Sequence, residues 1–342
     1  MDIEILKATA KQMVATGKGI LAADESAATC QKRFDSVGVP CTEESRRAYR
    51  EMIITAPGLE EYISGIILHD ETLRQKTADG VPFAEVLSKK GILPGIKVDA
   101  GPKDLALHPG EKVTEGLDGL RERLAEYKAL GARFAKWRAV ISIDASIPSD
   151  ACIHVNAHAL ARYAALCQEA DIVPMIEPEI LISGDQTIER SYEVTLASLK
   201  KVFEELAVQN VLLEGVILKT SMVIAGTKAT TQSNVTQVAE ATLRCLKEHV
   251  PAHIGGIVFL SGGQADEQAT AHLNAMNAAG SLPWPLSFSY ARAIQNPALK
   301  VWAQNPATNI ASAQQVLLFR SKMNSLASQG KYSDAMETER SY

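Results

Sequence analysis

An alternation of eight short apolar runs with segments of helical periodicity constrains the fold of this chain most strongly. The runs are rich in β-branched residues and lie at 19–23, 62–68, 91–98, 132–141, 172–181, 215–223, 255–260 and 286–290. Between them, apolar residues recur at helical spacing, as in the segment 117–131, whose last residue, Gly131, stands where a helix C-cap is expected. Strand followed by helix, repeated in this way, predicts an α/β fold of the (β/α)₈ TIM-barrel type.

Composition indicates one folded domain and does not favour binding to nucleic acid or to a membrane. The 342 residues, 46% of them hydrophobic, are enough to bury a large core, and no low-complexity stretch divides them. We therefore expect a single domain over residues 1–342. The formal net charge of -5 provides no basic field for nucleic acid or for an anionic membrane.

The cysteines and the N-terminus indicate a cytoplasmic location. The five cysteines are widely spaced and form no CxxC pair, which suits free thiols in a reducing compartment. The first residues, MDIEILKATAKQ, lack the basic and then apolar pattern of a signal peptide. No apolar stretch approaches the roughly 20 residues needed to cross a bilayer.

Polar and charged residues are concentrated where the apolar runs end. Active sites of (β/α)₈ barrels form at the C-terminal ends of the strands. The residues at these positions are Asp24, Glu25, Ser26, Lys97, Asp99, Lys136, Arg138, Glu177, Glu179, Lys219, Ser261, Gly262, Gly263, Ser289 and Arg292. Placing charge inside apolar strands costs stability unless chemistry or binding compensates, so these positions predict the active site.

Lys219 is the strongest candidate for a nucleophile. It is the only lysine in the apolar run 215–223, and no carboxylate stands beside it in the sequence. Removing an ammonium from water favours the neutral amine, which attacks carbonyl groups. The alternative is a lysine at the end of a strand with its amine in solvent.

Two charged pairs are expected to share the cavity with Lys219. Glu177 and Glu179 are two residues apart, as are Lys136 and Arg138, so each pair points to one face of its strand. Close carboxylates separate their titrations, and one of them can then act as an acid. A cation at Lys136 would favour the neutral form of the Lys219 amine. Alternatively, the glutamates are only counter-ions of neighbouring lysines.

Two anion sites are predicted around this centre. In the run GIVFLSGGQ, the small residues Ser261, Gly262 and Gly263 let backbone N–H groups face an anion, and the guanidinium of Arg292 suits a phosphate. A simple tight turn is the alternative for the glycine pair. The second set follows the first and third strands and consists of Ser26, Lys32, Arg33 and Lys97.

The histidines do not favour a metal site. There is no HExxH motif, and His154 and His158, a pair at helical spacing, lie in a segment that reads as an outer helix of the barrel. We therefore predict neither a metal nor a cofactor.

The chain closely resembles the class I, Schiff-base-forming fructose-1,6-bisphosphate aldolases from about residue 11 to residue 332. The resemblance is carried by blocks in the family's order: GKGILAADES, ETLRQK, GIKVD, GLDGLRER, FAKWR, LARYA, VPMIEPEIL, EGVILK, FLSGGQ, SFSYAR and SLASQGKY. It implies a metal-independent lyase of glycolysis and gluconeogenesis that cleaves fructose 1,6-bisphosphate reversibly. It also implies a homotetramer.

The resemblance assigns roles to the candidate residues. Lys219 corresponds to the Schiff-base lysine, Glu177 to the general acid/base with Glu179 in its charge network, Lys136 to the nearby cation, and Asp24 to the base that takes the C4 hydroxyl proton. Ser261, Gly262 and Arg292 correspond to the C1-phosphate site; Ser26, Lys32, Arg33 and Lys97 lie towards the other phosphate, and Arg138, Gly263 and Ser289 are further substrate-binding residues. Tyr342 resembles the terminal tyrosine that closes over the site and helps to protonate the enamine.

The chain departs from the family at a few positions. Thr220 and Ser221 follow the lysine where Pro-Asn is usual, Thr29 replaces a serine, and Ala291 replaces a glycine. The tail, residues 330–342, is shorter than usual, although it is still expected over the active site. Rival functions are a Schiff-base barrel aldolase for another sugar phosphate, a metal-dependent aldolase, and a barrel that acts as a binding scaffold.

Overall fold

Eight parallel strands close into a barrel in the computed structural model, which describes residues 1–340. The barrel strands are β1 (Gly19–Ala23), β2 (Ile63–Leu68), β3 (Leu93–Lys97), β4 (Phe134–Ile141), β5 (Val173–Ile180), β6 (Ile217–Thr220), β7 (Gly256–Phe259) and β8 (Leu286–Tyr290). Each strand pairs with its neighbours in chain order, and β8 pairs with β1. The predicted (β/α)₈ barrel is confirmed.

Helices occupy the segments between the strands and continue beyond the last one. They are α1 (Ile3–Met13), α2 (Ala27–Asp35), α3 (Glu43–Ile54), α4 (Asp70–Arg74), α5 (Phe83–Lys89), α6 (Leu120–Ala129), α7 (Asp150–Glu169), α8 (Ile188–Val208), α9 (Val235–His249), α10 (Asp266–Ala278), α11 (Arg292–Gln304) and α12 (Ile310–Ala327). Short 3₁₀ helices lie at Leu59–Glu61, Leu213–Gly215 and Asp334–Glu339, and Pro102–Asp104 pairs antiparallel with Lys112–Thr114.

The strand predicted over 215–223 is the one that the structure shortens most, to β6 (Ile217–Thr220). At its start, Leu213–Gly215 forms a 3₁₀ turn. At its end, the Ser221 hydroxyl replaces backbone pairing, because it bonds to both the N–H and the carbonyl of Ile180 at 3.0 Å. The chain therefore leaves the sheet immediately after Lys219 and Thr220, at the mouth of the barrel.

Two apolar layers hold the barrel together. Inside it, residues such as Phe134, Met175 and Val258 pack against α1, which closes the N-terminal end. A larger apolar layer lies between the strands and the surrounding helices. Gly95 makes room for the Phe134 ring, since a methyl group there would lie 2.2 Å from it. Because side chains fill the interior and α1 closes the N-terminal end, the room for a ligand is at the C-terminal end of the barrel.

The C-terminal tail is described as far as Arg340 and runs along α10. The Tyr332 N–H donates to Asn274 near the end of this helix, and Arg340 forms an ion pair with Glu267 in its first turn, 2.6 Å away. The tail thus rises towards the C-terminal face of the barrel. Tyr342 lies outside the described residues. Within residues 1–340, no helix is both long enough and apolar enough to span a bilayer.

Candidate active site

A cavity of about 360 Å³ opens at the C-terminal ends of the barrel strands. Most residues predicted for the site line it: Asp24, Ser26, Lys97, Lys136, Arg138, Glu177, Glu179, Lys219, Ser261, Gly262, Ser289 and Arg292. Apart from β2, every barrel strand contributes one of these residues, either directly or through the segment that follows it. The structure therefore brings together residues that are far apart in the chain, as the barrel prediction required.

Lys219 is buried at the end of β6, with only 4% of the residue exposed. Its Nζ lies 3.0 Å from Oε1 of Glu177 on the neighbouring strand β5. The alternative of a lysine with its amine in solvent is therefore wrong. The sequence places no carboxylate beside Lys219, but the barrel supplies one, so the amine has a proton acceptor within hydrogen-bonding distance.

Glu177 stands between two lysines. Its Oε1 faces Lys219, whereas its Oε2 lies 3.4 Å from Nζ of Lys136 on β4. This arrangement follows from the strand order, because β5 lies between β4 and β6. One carboxylate can thus exchange protons with Lys219 while its charge is balanced by the second lysine.

Lys136 remains an ammonium because carboxylates surround it. Its Nζ lies 2.8 Å from Asp24 and 4.0 Å from Asp99 in addition to its contact with Glu177. Burial disfavours the charged amine, but the negative charges of Asp24, Glu177 and Asp99 outweigh burial and raise the pKa of Lys136 well above its usual value. Lys136 is therefore a fixed positive charge rather than a proton donor.

Asp24 is the anion that pairs with Lys136. Burial opposes its ionisation, but the nearby charges of Lys136 and Lys219 outweigh burial and hold the pKa of this carboxyl well below its usual range. The Asp24 side chain is 13% exposed and lines the cavity. It therefore presents an ionised carboxylate to a ligand.

A second set of ion pairs surrounds this centre. Arg138 pairs with Glu179, and Lys97 Nζ lies 2.6 Å from Oδ1 of Asp99. Asp99 also accepts a hydrogen bond from the backbone N–H of Arg138. The sequence showed Asp99 at the end of a strand but gave it no role. With these pairs, each cation on β3 to β6 is matched by a carboxylate, so an anionic ligand has to share Lys97 and Arg138 with these carboxylates, which favours additional donors that have no counter-ion.

The loop after β7 offers such donors. Gly262 and Gly263 have φ angles of +58° and +103°, and the Gln264 N–H donates to the Ser261 carbonyl at 2.9 Å. Left-handed φ values are readily adopted by glycine, and they turn successive N–H groups towards one side of a loop. Arg292 lies beside this loop, since a methyl group on Gly263 would be 3.4 Å from its Nη2.

His272 on α10 holds the end of the same loop. It is fully buried, and its Nδ1 lies 2.5 Å from Oε1 of Gln264, whose Nε2 donates weakly to the Met222 sulfur. Burial lowers the pKa of His272 to about 4, so the ring is neutral near pH 7. This contact could not be read from sequence, because it depends on how α10 folds back on the loop.

The structure does not bring three of the predicted binding residues into the cavity. Lys32 is exposed on α2, and Gly263 lines an adjacent cavity that shares Arg292 with the active-site cavity. The Arg33 guanidinium forms an ion pair with Glu25 and donates a hydrogen bond to Oδ1 of Asn296 at 2.9 Å. Glu25, which the sequence noted without assigning a role, therefore determines where Arg33 points.

Replacing Glu25 with glutamine should reduce stability in a pH-dependent manner. Burial opposes ionisation of Glu25, but Arg50 and Arg33 outweigh it and lower its pKa. A carboxyl with a lowered folded-state pKa stabilises the fold above its unfolded pKa of about 4.3, and this contribution is lost as the pH falls.

In urea unfolding at pH 7, we expect Glu25→Gln to lose about 3 kcal/mol, because the buried Arg50 loses its partner at 2.6 Å. The difference from the parent chain should narrow below about pH 4. A difference that stays constant from pH 7 to pH 3 would show that the Glu25 charge is not the cause.

The histidine pair lies on the outside of the barrel. His154 and His158 on α7 face Glu205 on α8, at 3.8 and 3.0 Å. Among residues 1–340, no group of three or more histidine, cysteine or acidic side chains is arranged to hold a metal ion.

The fold and the cavity together define a class of protein. A (β/α)₈ barrel with a buried lysine among carboxylates at its C-terminal face is the arrangement expected of an enzyme that forms a Schiff base with a carbonyl substrate. The family model described as fructose-bisphosphate aldolase class-I matches residues 5–342.

Individual relatives agree over nearly their whole lengths. The chain is 61% identical to the probable fructose-bisphosphate aldolase class 1 of Xanthomonas campestris pv. campestris, covering 97% of this chain and 99% of that protein. It is 50% identical to the fructose-bisphosphate aldolase of Dictyostelium discoideum, covering 97% and 94%. This chain therefore belongs to the class I fructose-bisphosphate aldolase family, and it is a lyase.

A solved structure shows the same architecture. It is the fructose-bisphosphate aldolase of Plasmodium falciparum, crystallised in complex with TRAP and a small-molecule inhibitor. The TM-score is 0.95 at 48% sequence identity, and the match covers 96% of this chain and 95% of that chain.

Proposed function

We propose that this chain cleaves fructose 1,6-bisphosphate reversibly to dihydroxyacetone phosphate and glyceraldehyde 3-phosphate, with Lys219 as the Schiff-base residue. The observation that carries the proposal is the buried Lys219 amine, 3.0 Å from a carboxylate at the functional end of the barrel. The reaction belongs to glycolysis in the cleavage direction and to gluconeogenesis in the reverse direction.

The first stage forms an iminium. The neutral amine of Lys219 attacks the C2 carbonyl of the open-chain sugar, and the carbonyl oxygen takes up a proton to give a carbinolamine. Glu177 accepts a proton from the nitrogen and returns one to the departing hydroxyl, which leaves as water. Its position between Lys219 and Lys136 suits this exchange, since Lys136 stabilises the carboxylate form of Glu177 before it accepts the proton and after it returns it.

The second stage breaks the carbon–carbon bond. Asp24 takes the proton of the C4 hydroxyl, the C3–C4 electron pair moves towards the iminium, and glyceraldehyde 3-phosphate leaves as the aldehyde. The positive nitrogen becomes the neutral nitrogen of an enamine. Protonation at C3 and addition of water then release dihydroxyacetone phosphate and restore the Lys219 amine. Tyr342, outside the described residues, is the proposed partner in protonating the enamine.

The two phosphates are assigned to opposite sides of the cavity. Donors in the loop after β7 and at the end of β8 are assigned to the C1 phosphate: Ser261, Gly262, Ser289 and Arg292, with Gly263 beside Arg292 in the adjacent cavity. Ser289 supports this assignment, because its buried Oγ has no hydrogen-bond partner among the described residues. The other phosphate is assigned to Ser26, Lys97, Lys32 and Arg33, with Arg138 as a further contact. Arg33 has to exchange its contact with Glu25 for the phosphate.

Three wider expectations accompany this function. We propose a homotetramer in the cytoplasm, in which residues 1–342 form one domain and residues 330–342 its tail. The free state of all five cysteines is compatible with that compartment. Light scattering after gel filtration would measure the oligomeric state.

Activity should be insensitive to metal chelation. In the proposed reaction the iminium of Lys219 accepts the electrons that a Lewis-acidic metal would otherwise stabilise. We expect dialysis against a chelator to leave the cleavage of fructose 1,6-bisphosphate unchanged within experimental error. Loss of activity that zinc restores would favour a metal-dependent aldolase instead.

Substrate preference should follow the two assigned phosphate sites. We expect a higher kcat/KM for fructose 1,6-bisphosphate than for fructose 1-phosphate, which lacks the second phosphate, and the same assay with sedoheptulose 1,7-bisphosphate tests the effect of a longer chain between two phosphates. Preference for sedoheptulose 1,7-bisphosphate would identify a Schiff-base aldolase for another sugar phosphate.

A further inference from the structure

A fully buried arginine links the C-terminal tail to both loops of the proposed C1-phosphate site. Arg320 lies on α12, outside the cavity, and is 0% exposed. We propose that Arg320 is a positioning residue for C1-phosphate binding, and that Glu337 in the tail maintains its position. This inference rests on the proposed function, because it concerns the affinity of the same site.

Arg320 donates to the backbone that follows each loop. Its Nη2 donates to the Asp266 carbonyl at 3.1 Å, and Asp266 is separated by one residue from Gln264 at the end of the β7 loop. Its Nε donates to the Ala293 carbonyl at 3.4 Å, and Ala293 directly follows Arg292. One planar group therefore fixes the first turns of α10 and α11 relative to each other.

This spacing matters for the phosphate because the two loops hold it from different sides. Ser261 and Gly262 precede α10, whereas Ser289 and Arg292 lead into α11. A shift of either helix would change the distance between the backbone donors and the Arg292 guanidinium. An error of about 1 Å in the placement of groups can cost a large factor in binding or rate.

The tail supplies the main counter-ion of Arg320. Glu337, on the 3₁₀ helix Asp334–Glu339, lies 2.6 Å from Nη1, closer than the carboxylate of Asp266 at 3.6 Å from Nε. Glu337 also accepts hydrogen bonds from the Tyr332 hydroxyl and from Arg340. A buried guanidinium requires such a partner, because an uncompensated charge in the interior is costly.

Loss of the Glu337 charge should therefore weaken binding at the C1-phosphate site. The Arg320 guanidinium would turn towards Asp266, its remaining carboxylate, and its bond to Ala293 would lengthen. The positions of the two loops relative to each other would then be less restricted. Glu337 does not line the active-site cavity, so an effect on phosphate affinity has to pass through Arg320 and the two helices.

The test compares Glu337→Gln with Glu339→Gln. Both substitutions remove one negative charge from the same short helix, but the exposed Glu339 makes no ion pair with any residue in the range 1–340. Affinity for the C1 phosphate is read from the concentration of dihydroxyacetone phosphate that gives half-maximal inactivation by borohydride. The inhibition constant of glyceraldehyde 3-phosphate measures affinity at the opposite phosphate site.

We expect Glu337→Gln to raise the half-maximal dihydroxyacetone phosphate concentration and KM by about tenfold, with kcat within about twofold and glyceraldehyde 3-phosphate inhibition unchanged. Glu339→Gln should match the parent chain. Arg320→Lys, which keeps the charge but loses the planar fork, should shift affinity in the same direction. Thermal unfolding establishes that each variant is folded.

Equal phosphate affinity in all of these folded chains would overturn the proposal, as would an equal loss at both phosphate sites. If Glu337→Gln or Arg320→Lys lost only thermal stability, the role of Arg320 would be structural. Borohydride trapping on the parent chain separates this outcome from failure of the proposed function. If Lys219 is trapped normally and Glu337→Gln has no effect, only the inference about Arg320 fails.

Discussion

Replacing Lys219 with methionine is expected to lower kcat by a factor on the order of 10⁴ or more. Methionine has nearly the same length but no nitrogen, so neither carbinolamine nor iminium can form. The fold should survive, because Glu177 retains Lys136 at 3.4 Å as its counter-ion. Steady-state cleavage of fructose 1,6-bisphosphate measures the effect.

Lys228→Met is the matched control for this experiment. Lys228 is exposed in the segment that follows the same strand, and it makes no ion pair with any residue that the structure describes. We expect its activity to equal that of the parent chain. Full activity in Lys219→Met would end the assignment of Lys219 as the Schiff-base residue.

Replacing Lys136 with methionine should damage both stability and catalysis. The substitution leaves the buried carboxylates of Asp24 and Glu177 without their shared cation, at a cost of about 3 to 5 kcal/mol. The pKa of Asp24 should rise towards its usual value, because the second-largest influence on it, after burial, is the Lys136 charge. We expect kcat to fall by about 10² to 10⁴.

Lys136→Arg distinguishes the charge from the geometry. Arginine keeps the positive charge, so urea unfolding should show most of the stability restored. Its planar fork cannot place a single donor between Asp24 and Glu177, so kcat should remain low. If Lys136→Met matched the parent chain in both unfolding and turnover, the charge network around Lys136 would have no functional role.

The positions of the strands were predictable because they depend on local pattern. The apolar run that contains Lys136 and the run that contains Glu177 both became barrel strands, with their ends trimmed by a few residues. Helix α7 begins at Asp150, because the Ser149 side chain caps it by accepting a hydrogen bond from the Cys152 N–H. That serine is a sequence signal that apolar periodicity alone does not detect.

Pairings across the barrel were not predictable from one sequence. The spacing of Glu177 and Glu179 shows that they share a face, but not that Glu177 reaches Lys219 and Glu179 reaches Arg138. Those partners depend on strand order and register, which the run lengths do not specify. The sequence could at most say that the charges would meet in one cavity.

Contacts between a loop and side chains that lie outside the cavity could not be predicted from the sequence either. Arg320 contacts Asp266 and Ala293, which are 54 and 27 residues away in the chain. In the sequence, Arg320 resembles an ordinary polar residue of an outer helix. Only the folded structure, in which the tail packs against α10, shows that it is buried and contacts the backbone that follows both loops. Likewise, Arg33 was predicted as a phosphate ligand from its place after the first strand, but only the structure shows that Glu25 holds it.

Trapping of the intermediate tests the central claim most directly. Incubation of the parent chain with dihydroxyacetone phosphate and borohydride, followed by digestion and peptide mass analysis, reports which amine forms the covalent bond. We expect the reduced adduct on Lys219 alone, with no adduct on the neighbouring buried Lys136. An adduct on Lys136, or none on an enzyme that still turns over, would contradict the Schiff-base assignment.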